Sequence, residues 1–200
     1  MIKFYKTISV IFHPIVLPTI GTIFYFLLIP NSYNSKERLT ILSLIFVTTY
    51  LIPVLILILF KRLKLIQTFN TRSIKERKIP VALMIVLFYL LGNTLIRIAQ
   101  VEDIGLLFYA TSCALAFVYF LFAFDLKTSI HLLSFGIFTS FYIILGYIYQ
   151  KQFAVLIIIT LLLSGLVANA RLHLKAHTNK EVYIGFFIGF ISPILLFYCL

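Results

Sequence analysis

Apolar residues in this chain fall in long unbroken runs rather than alternating with polar ones. A helix that crosses a membrane needs about 20 consecutive, mostly apolar residues. The runs predict spans at about 7–29, 39–60, 81–96 and 105–124, then one ending near 149, and two more at 153–169 and 182–200. Three polar stretches separate them: 61–80, which holds seven bases, the short link 125–131, and 171–181. The first run is the least regular. Lys3 and Lys6 precede it as in a signal peptide, but it is too long for such a segment and has no A-x-A cleavage site. His13, Pro14 and Pro18 predict a kink or re-entrant segment in its first part. The pattern describes an all-α polytopic membrane helix bundle of about six to seven transmembrane helices. It forms a single integral membrane domain over 1–200 with no internal repeat.

Composition agrees. Of the 200 residues 62% are hydrophobic and 12% charged, where soluble domains average about 25% charged. A soluble enzyme, a disordered chain and a secreted disulfide scaffold are excluded. Cys113 and Cys199 lie inside apolar runs without metal-ligand spacing and are expected to be buried thiols with no redox role. The charge is one-sided, with 17 Lys and Arg against 6 Asp and Glu. In a soluble protein this would suggest nucleic acid. Here loops facing anionic lipid account for it, and no nucleic-acid partner is expected.

The order of spans has a geometric consequence. Two spans lie between 61–80 and 125–131, and two more between that link and 171–181, so all three polar stretches lie on one face of the membrane and can converge. Lys36, Arg38, Arg97 and Lys151 lie on the other face; the remaining bases share the face of the three stretches. The positive-inside rule directs that face to the cytoplasm.

Ionisable groups beside apolar spans are costly, so they are candidates for function. If Asn179 begins the last helix, His177 and Glu181 stand four apart and face each other. A carboxylate there orients the imidazole and selects its tautomer. In the link, Ser129 can cap the next helix, with His131 in its first turn, and the free N–H groups of a helix start suit an anion. Arg72, Lys75, Arg77 and Lys78 precede Pro80, which suits the first turn of a helix; such bases form a sink for phosphate. Each stretch alone also reads as an ordinary interfacial loop touching lipid headgroups. Together they describe a phosphate site with two histidines, one to attack phosphorus and one to protonate the leaving oxygen. Gly185 and Gly189 form a G-x3-G suited to close helix packing.

These residues resemble the type 2 phosphatidic acid phosphatase superfamily, whose signatures are K-x6-R-P, P-S-G-H and S-R-x5-H-x3-D. The third is matched by Arg171, His177 and Glu181, with Ala170 for Ser and Glu for Asp. The second keeps Ser129 and His131, with Thr128 for Pro and Ile130 for Gly; the first has Arg72 for Lys, Ile79 for Arg, and Pro80 in place. The H-P pair near the start and the A-R-x5-H-T segment are also similar in style to multi-pass proteins of Bacteroidetes. The resemblance implies a phosphatase-like core at about 60–200. It implies a nucleophile at His177 oriented by Glu181, a proton donor at His131, and phosphate binding by Arg171, Ser129, Arg72, Lys75, Arg77 and Lys78, with no metal and no cofactor. The substrate would be a lipid phosphate or diphosphate, of phosphatidate, phosphatidylglycerophosphate, polyprenyl diphosphate or lipid A type, in a bacterial inner membrane. The departures at Ile79, Ile130, Ala170 and Glu181 motivate an alternative: a non-catalytic relative serving as a lipid-binding or structural subunit, with protein partners in a membrane complex. A small transporter of anionic solutes is a third reading, weakened by the lack of a repeat.

Overall fold

The computed structural model describes residues 2–29, 31–66 and 73–199. Among them the chain forms eight helices and no strand: α1 (Ile2–Ile11), α2 (Leu17–Leu28), α3 (Ser35–Arg62), α4 (Ile74–Leu95), α5 (Glu102–Leu121), α6 (Ile130–Tyr149), α7 (Ala154–His173) and α8 (Asn179–Cys199). A 3-10 turn, Phe122–Phe124, prolongs α5. The six helices α3 to α8 are long and apolar enough to cross a membrane. The protein is an all-α, multi-pass membrane bundle.

The run expected to span at 7–29 is not one helix. It breaks between α1 and α2, where Pro14 has no N–H to donate and turn bonds replace the ladder: His13 N–H to Val10 C=O (3.2 Å) and Val16 N–H to His13 C=O (2.9 Å). Neither piece is long enough to span. Pro53 is treated differently. It sits just after a π-turn at Val47–Leu51, which widens α3 where the proline can neither donate to the carbonyl four residues back nor clear it.

Helix α4 starts at Ile74, about two turns before the expected 81. Ser73 Oγ accepts from Glu76 N–H (3.3 Å), and Glu76 Oε2 accepts from Ser73 N–H (3.4 Å). This reciprocal capping box fixes the start at Ile74 and leaves Pro80 inside the helix rather than in its first turn. Helix α7 likewise runs past 169 to His173, so Arg171 and His173 occupy its last turn, where positive charge suits the helix dipole.

Helix α6 is the centre of the bundle: its span is 61% buried, against 22–39% for the other five. It packs hardest on α8, and glycine makes that approach possible. A Cβ on Gly189 would lie 2.0 Å from Leu133 O, one on Gly136 2.2 Å from Phe186 O, and one on Gly185 2.6 Å from Ser129 O. Helix α5 packs on α4 and α8, α7 on α6, and α1 on α7. Ser112 Oγ donates from α5 to Ile85 O of α4 (2.8 Å). At the end of the bundle where α6 finishes, Tyr149 (2.6 Å) and Tyr25 (3.2 Å) both donate to Asp103 Oδ2, tying α2, α5 and α6 together.

The outward faces carry Leu27, Val155, Leu162 and Tyr198, all exposed, as lipid contact requires. Cys113 and Cys199 also face outward. The expectation that they are buried fails because an apolar run marks a buried residue only in water; in a membrane helix the outer face is apolar too.

Candidate functional site

The ends of α1, α4, α6, α7 and α8 meet at one end of the bundle, as the count of spans requires. Arg77, in the first turns of α4, points inward and is buried, donating from Nη1 to the Thr128 carbonyl (3.3 Å). Arg171, in the last turn of α7, donates from Nη1 to Ser9 Oγ of α1 (2.8 Å). Its Nε is buried with no partner among the described residues. His131, in the first turn of α6, places Nε2 3.1 Å from the Ser9 carbonyl and 3.5 Å from Ser9 Oγ.

His177 stands in the turn between α7 and α8, and its Nδ1 lies 2.9 Å from Glu181 Oε2. The carboxylate does two jobs. Thr178 N–H also donates to Oε2 (3.1 Å), while Glu181 N–H donates to Thr178 Oγ1 (3.4 Å). The box that starts α8 therefore also aims the imidazole. Burial lowers His177 from the ordinary 6.5 to about 3, helped by the positive charges of Arg77, Arg171 and Lys127; a hydrogen bond to the Lys127 main chain opposes the shift. The ring is therefore neutral at physiological pH. Lys127 is itself lowered, by burial first and then by Arg77.

These groups cap a cavity of about 230 Å³. Ser9, His13, Arg77, His131, Arg171 and His177 line its polar end; Thr49, Thr111 and Ser134 add hydroxyls, and the rest is mostly apolar, with Pro18, Pro53, Leu57, Phe88, Phe108, Leu115 and Phe138. Such a lining suits a ligand with an anionic head and an apolar body. Among the described residues no three His, Cys, Asp or Glu side chains gather as a metal site.

Not every expected group joins this wall. Arg72 lies outside the described residues. Lys75 and Lys78 are exposed on the outward side of α4, away from the cavity. Ser129 occupies the N-cap position of α6 but its side chain makes no capping bond; its hydroxyl is buried without a partner among the described residues, outside the cavity wall. Its N–H is taken by the Glu181 carbonyl (3.1 Å), so that donor of the helix start is not open to an anion. Thr128 Oγ1 is likewise buried and unpartnered among the described residues. His173 stacks on Tyr5, with ring centroids 4.5 Å apart, at the outer surface. Ser9 and His13 are the residues sequence reasoning missed. Their one signal was the H-P pair breaking an apolar run.

Compared with family models, with curated proteins and with solved structures, the chain gives no match in any of the three.

Proposed function

We propose that this protein is an integral membrane lipid phosphatase, hydrolysing a lipid phosphate or diphosphate through a phosphohistidine. The observation that carries the reading is the cavity. One wall holds two arginines and three histidines, one of them backed by a carboxylate, and the remainder is mostly apolar.

Arg171 and Arg77 hold the phosphoryl oxygens. A half-buried guanidinium held by one neutral hydroxyl, with its Nε buried and unpartnered among the described residues, is in a state that an anion relieves. With its Nδ1–H directed at Glu181, His177 attacks phosphorus through Nε2, and the Lys127 contact gives way as it does so. The P–O bond to the lipid breaks, and the departing oxygen takes a proton from His131. The Ser9 carbonyl keeps the Nε2–H of His131, which leaves Nδ1 as the nitrogen that gives up the proton. Water then cleaves the N–P bond and returns a proton to His131. Lys75 and Lys78 meet lipid headgroups outside the cavity. The setting is a bacterial inner membrane with the site on the cytoplasmic face.

A second reading is a non-catalytic relative that binds a lipid phosphate without turnover. Ile130 beside His131 and the withdrawn Ser129 hydroxyl favour it. The test is phosphate release by the purified protein in detergent with EDTA, against a panel of lipid phosphates and beside His177→Ala. Release that vanishes in the variant is expected. Release that survives it defeats the phosphohistidine route, and a folded wild-type protein releasing nothing favours the second reading.

A further inference from the structure

We infer that His13, from the break between α1 and α2, is a phosphate ligand that works as a neutral hydrogen-bond donor through Nε2, and neither as an acid nor as a base. The inference rests on the reading of the cavity as a phosphate site, but not on turnover.

The Ile15 main-chain N–H points at His13 Nδ1 (3.3 Å). A main-chain N–H can only donate, so Nδ1 is the unprotonated nitrogen and the ring's hydrogen is on Nε2. Protonating Nδ1 would set two N–H groups against each other, so the local backbone opposes the imidazolium. Nε2 has no partner among the described residues, and His13 lines the polar end of the cavity with Arg171 and His177.

His131 differs at its other nitrogen. Its Nε2 faces the Ser9 carbonyl, an acceptor that keeps the hydrogen on Nε2, and among the described residues no main-chain N–H faces its Nδ1, so that nitrogen is open to take up and release a proton. The two rings meet edge to face, with centroids 5.2 Å apart. One histidine of the pair is thus suited to carry and release a proton, and the other to hold one still. A neutral imidazole N–H aimed at developing negative charge stabilises an oxyanion without exchanging protons with it.

The break in the first apolar run now has a use. A continuous helix would satisfy the Ile15 N–H along its own ladder and turn His13 with its own face. The Pro14 turn frees that N–H to set the tautomer. The first helices therefore close the pocket by supplying a fourth segment, beside the three polar stretches.

The test measures binding of inorganic phosphate and of orthovanadate to the full-length protein in detergent, by calorimetry, for the wild type, His13→Ala, His13→Gln and Arg171→Ala. Gln keeps an N–H donor at similar reach but cannot become an acid. We expect His13→Ala and Arg171→Ala each to weaken binding about 10-fold or more, the scale of a lost hydrogen bond to a charged group, and His13→Gln to recover most of the loss. In 15N spectra of labelled histidine, His13 keeps the Nε2–H tautomer on adding phosphate, and its Nε2 signal shifts. Wild-type affinity in His13→Ala, or His13→Gln as weak as His13→Ala, overturns the inference, as does a wild type that binds neither anion. Binding with this pattern but no phosphate release overturns only the hydrolase reading.

Discussion

Glu181 joins two interactions that can be separated by one atom. Glutamine at the third position of a helix still completes a capping box, but it cannot offer a carboxylate to His177. Glu181→Gln should therefore keep α8 in place while phosphate release falls by up to about 10⁴-fold, the loss seen when an orienting carboxylate becomes an amide. Equal losses of release and of thermal stability would show that the residue only caps. The titration of His177 gives a second residue-scale prediction. Its value in the folded chain is about 3, against an ordinary 6.5. Between these values the unfolded chain binds the proton and the folded chain does not, so stability present above pH 6.5 is lost as pH falls toward 3. The melting temperature in detergent should drop between pH 7 and pH 4, and drop less in His177→Gln. A variant with the same slope as the wild type would place the titrating group elsewhere. The His177–Glu181 pair was legible in the sequence because it is local: the turn and the capping box that start α8 fix it within four residues. The Ser9 and His13 contacts were not, since they depend on how a broken helix folds back over α6 and α7, and no spacing along the chain encodes that.

At the scale of the element, the contact of α6 with α8 sets how closely the polar ends approach. Gly189→Ala puts a methyl 2.0 Å from the Leu133 carbonyl oxygen, and backbone cannot move aside as a side-chain tip can. The variant is expected to lose most of its folded yield in detergent. Gly165→Ala is the matched control: nothing lies within 4 Å of its added Cβ. It should raise stability by about 0.5–1 kcal/mol, from helix propensity alone. Comparable losses in both, measured by size-exclusion recovery after heating, would discount the close approach. The helix starts show how much of the element scale was readable. The S-x-x-E at Ser73 and the T-x-x-E at Thr178 are both capping boxes in plain sequence. Using the first would have started α4 at Ile74 and put Arg77 on the face of Val81, Phe88, Leu91 and Leu95, all buried, while turning Lys75 and Lys78 outward. A helix with Pro80 in its first turn leaves Arg77 in the loop, without that distinction.

At the scale of the whole molecule, the count of spans between polar stretches brought Arg77, Thr128, His131, Arg171 and His177 to one end. Helices α4 to α7 each cross once, so the broken first run leaves this placement unchanged. The placement also fixes an orientation test. With Cys113 and Cys199 replaced by Ser, single cysteines at Lys78 and Lys175 should resist a membrane-impermeant maleimide in intact cells, and cysteines at Lys36 and Lys151 should react. The reverse labelling would put the site on the outer face. The capping box of α8 has a consequence for how the protein is made. Arg77, His131 and Arg171 all precede residue 179 in the chain, yet His177 is aimed by Glu181, at the start of the final helix, and the Ser129 N–H at the start of α6 is taken by the Glu181 carbonyl. A chain short of that helix has the cations of the site without its oriented imidazole, so the proposed hydrolysis is expected only once the last helix is in place.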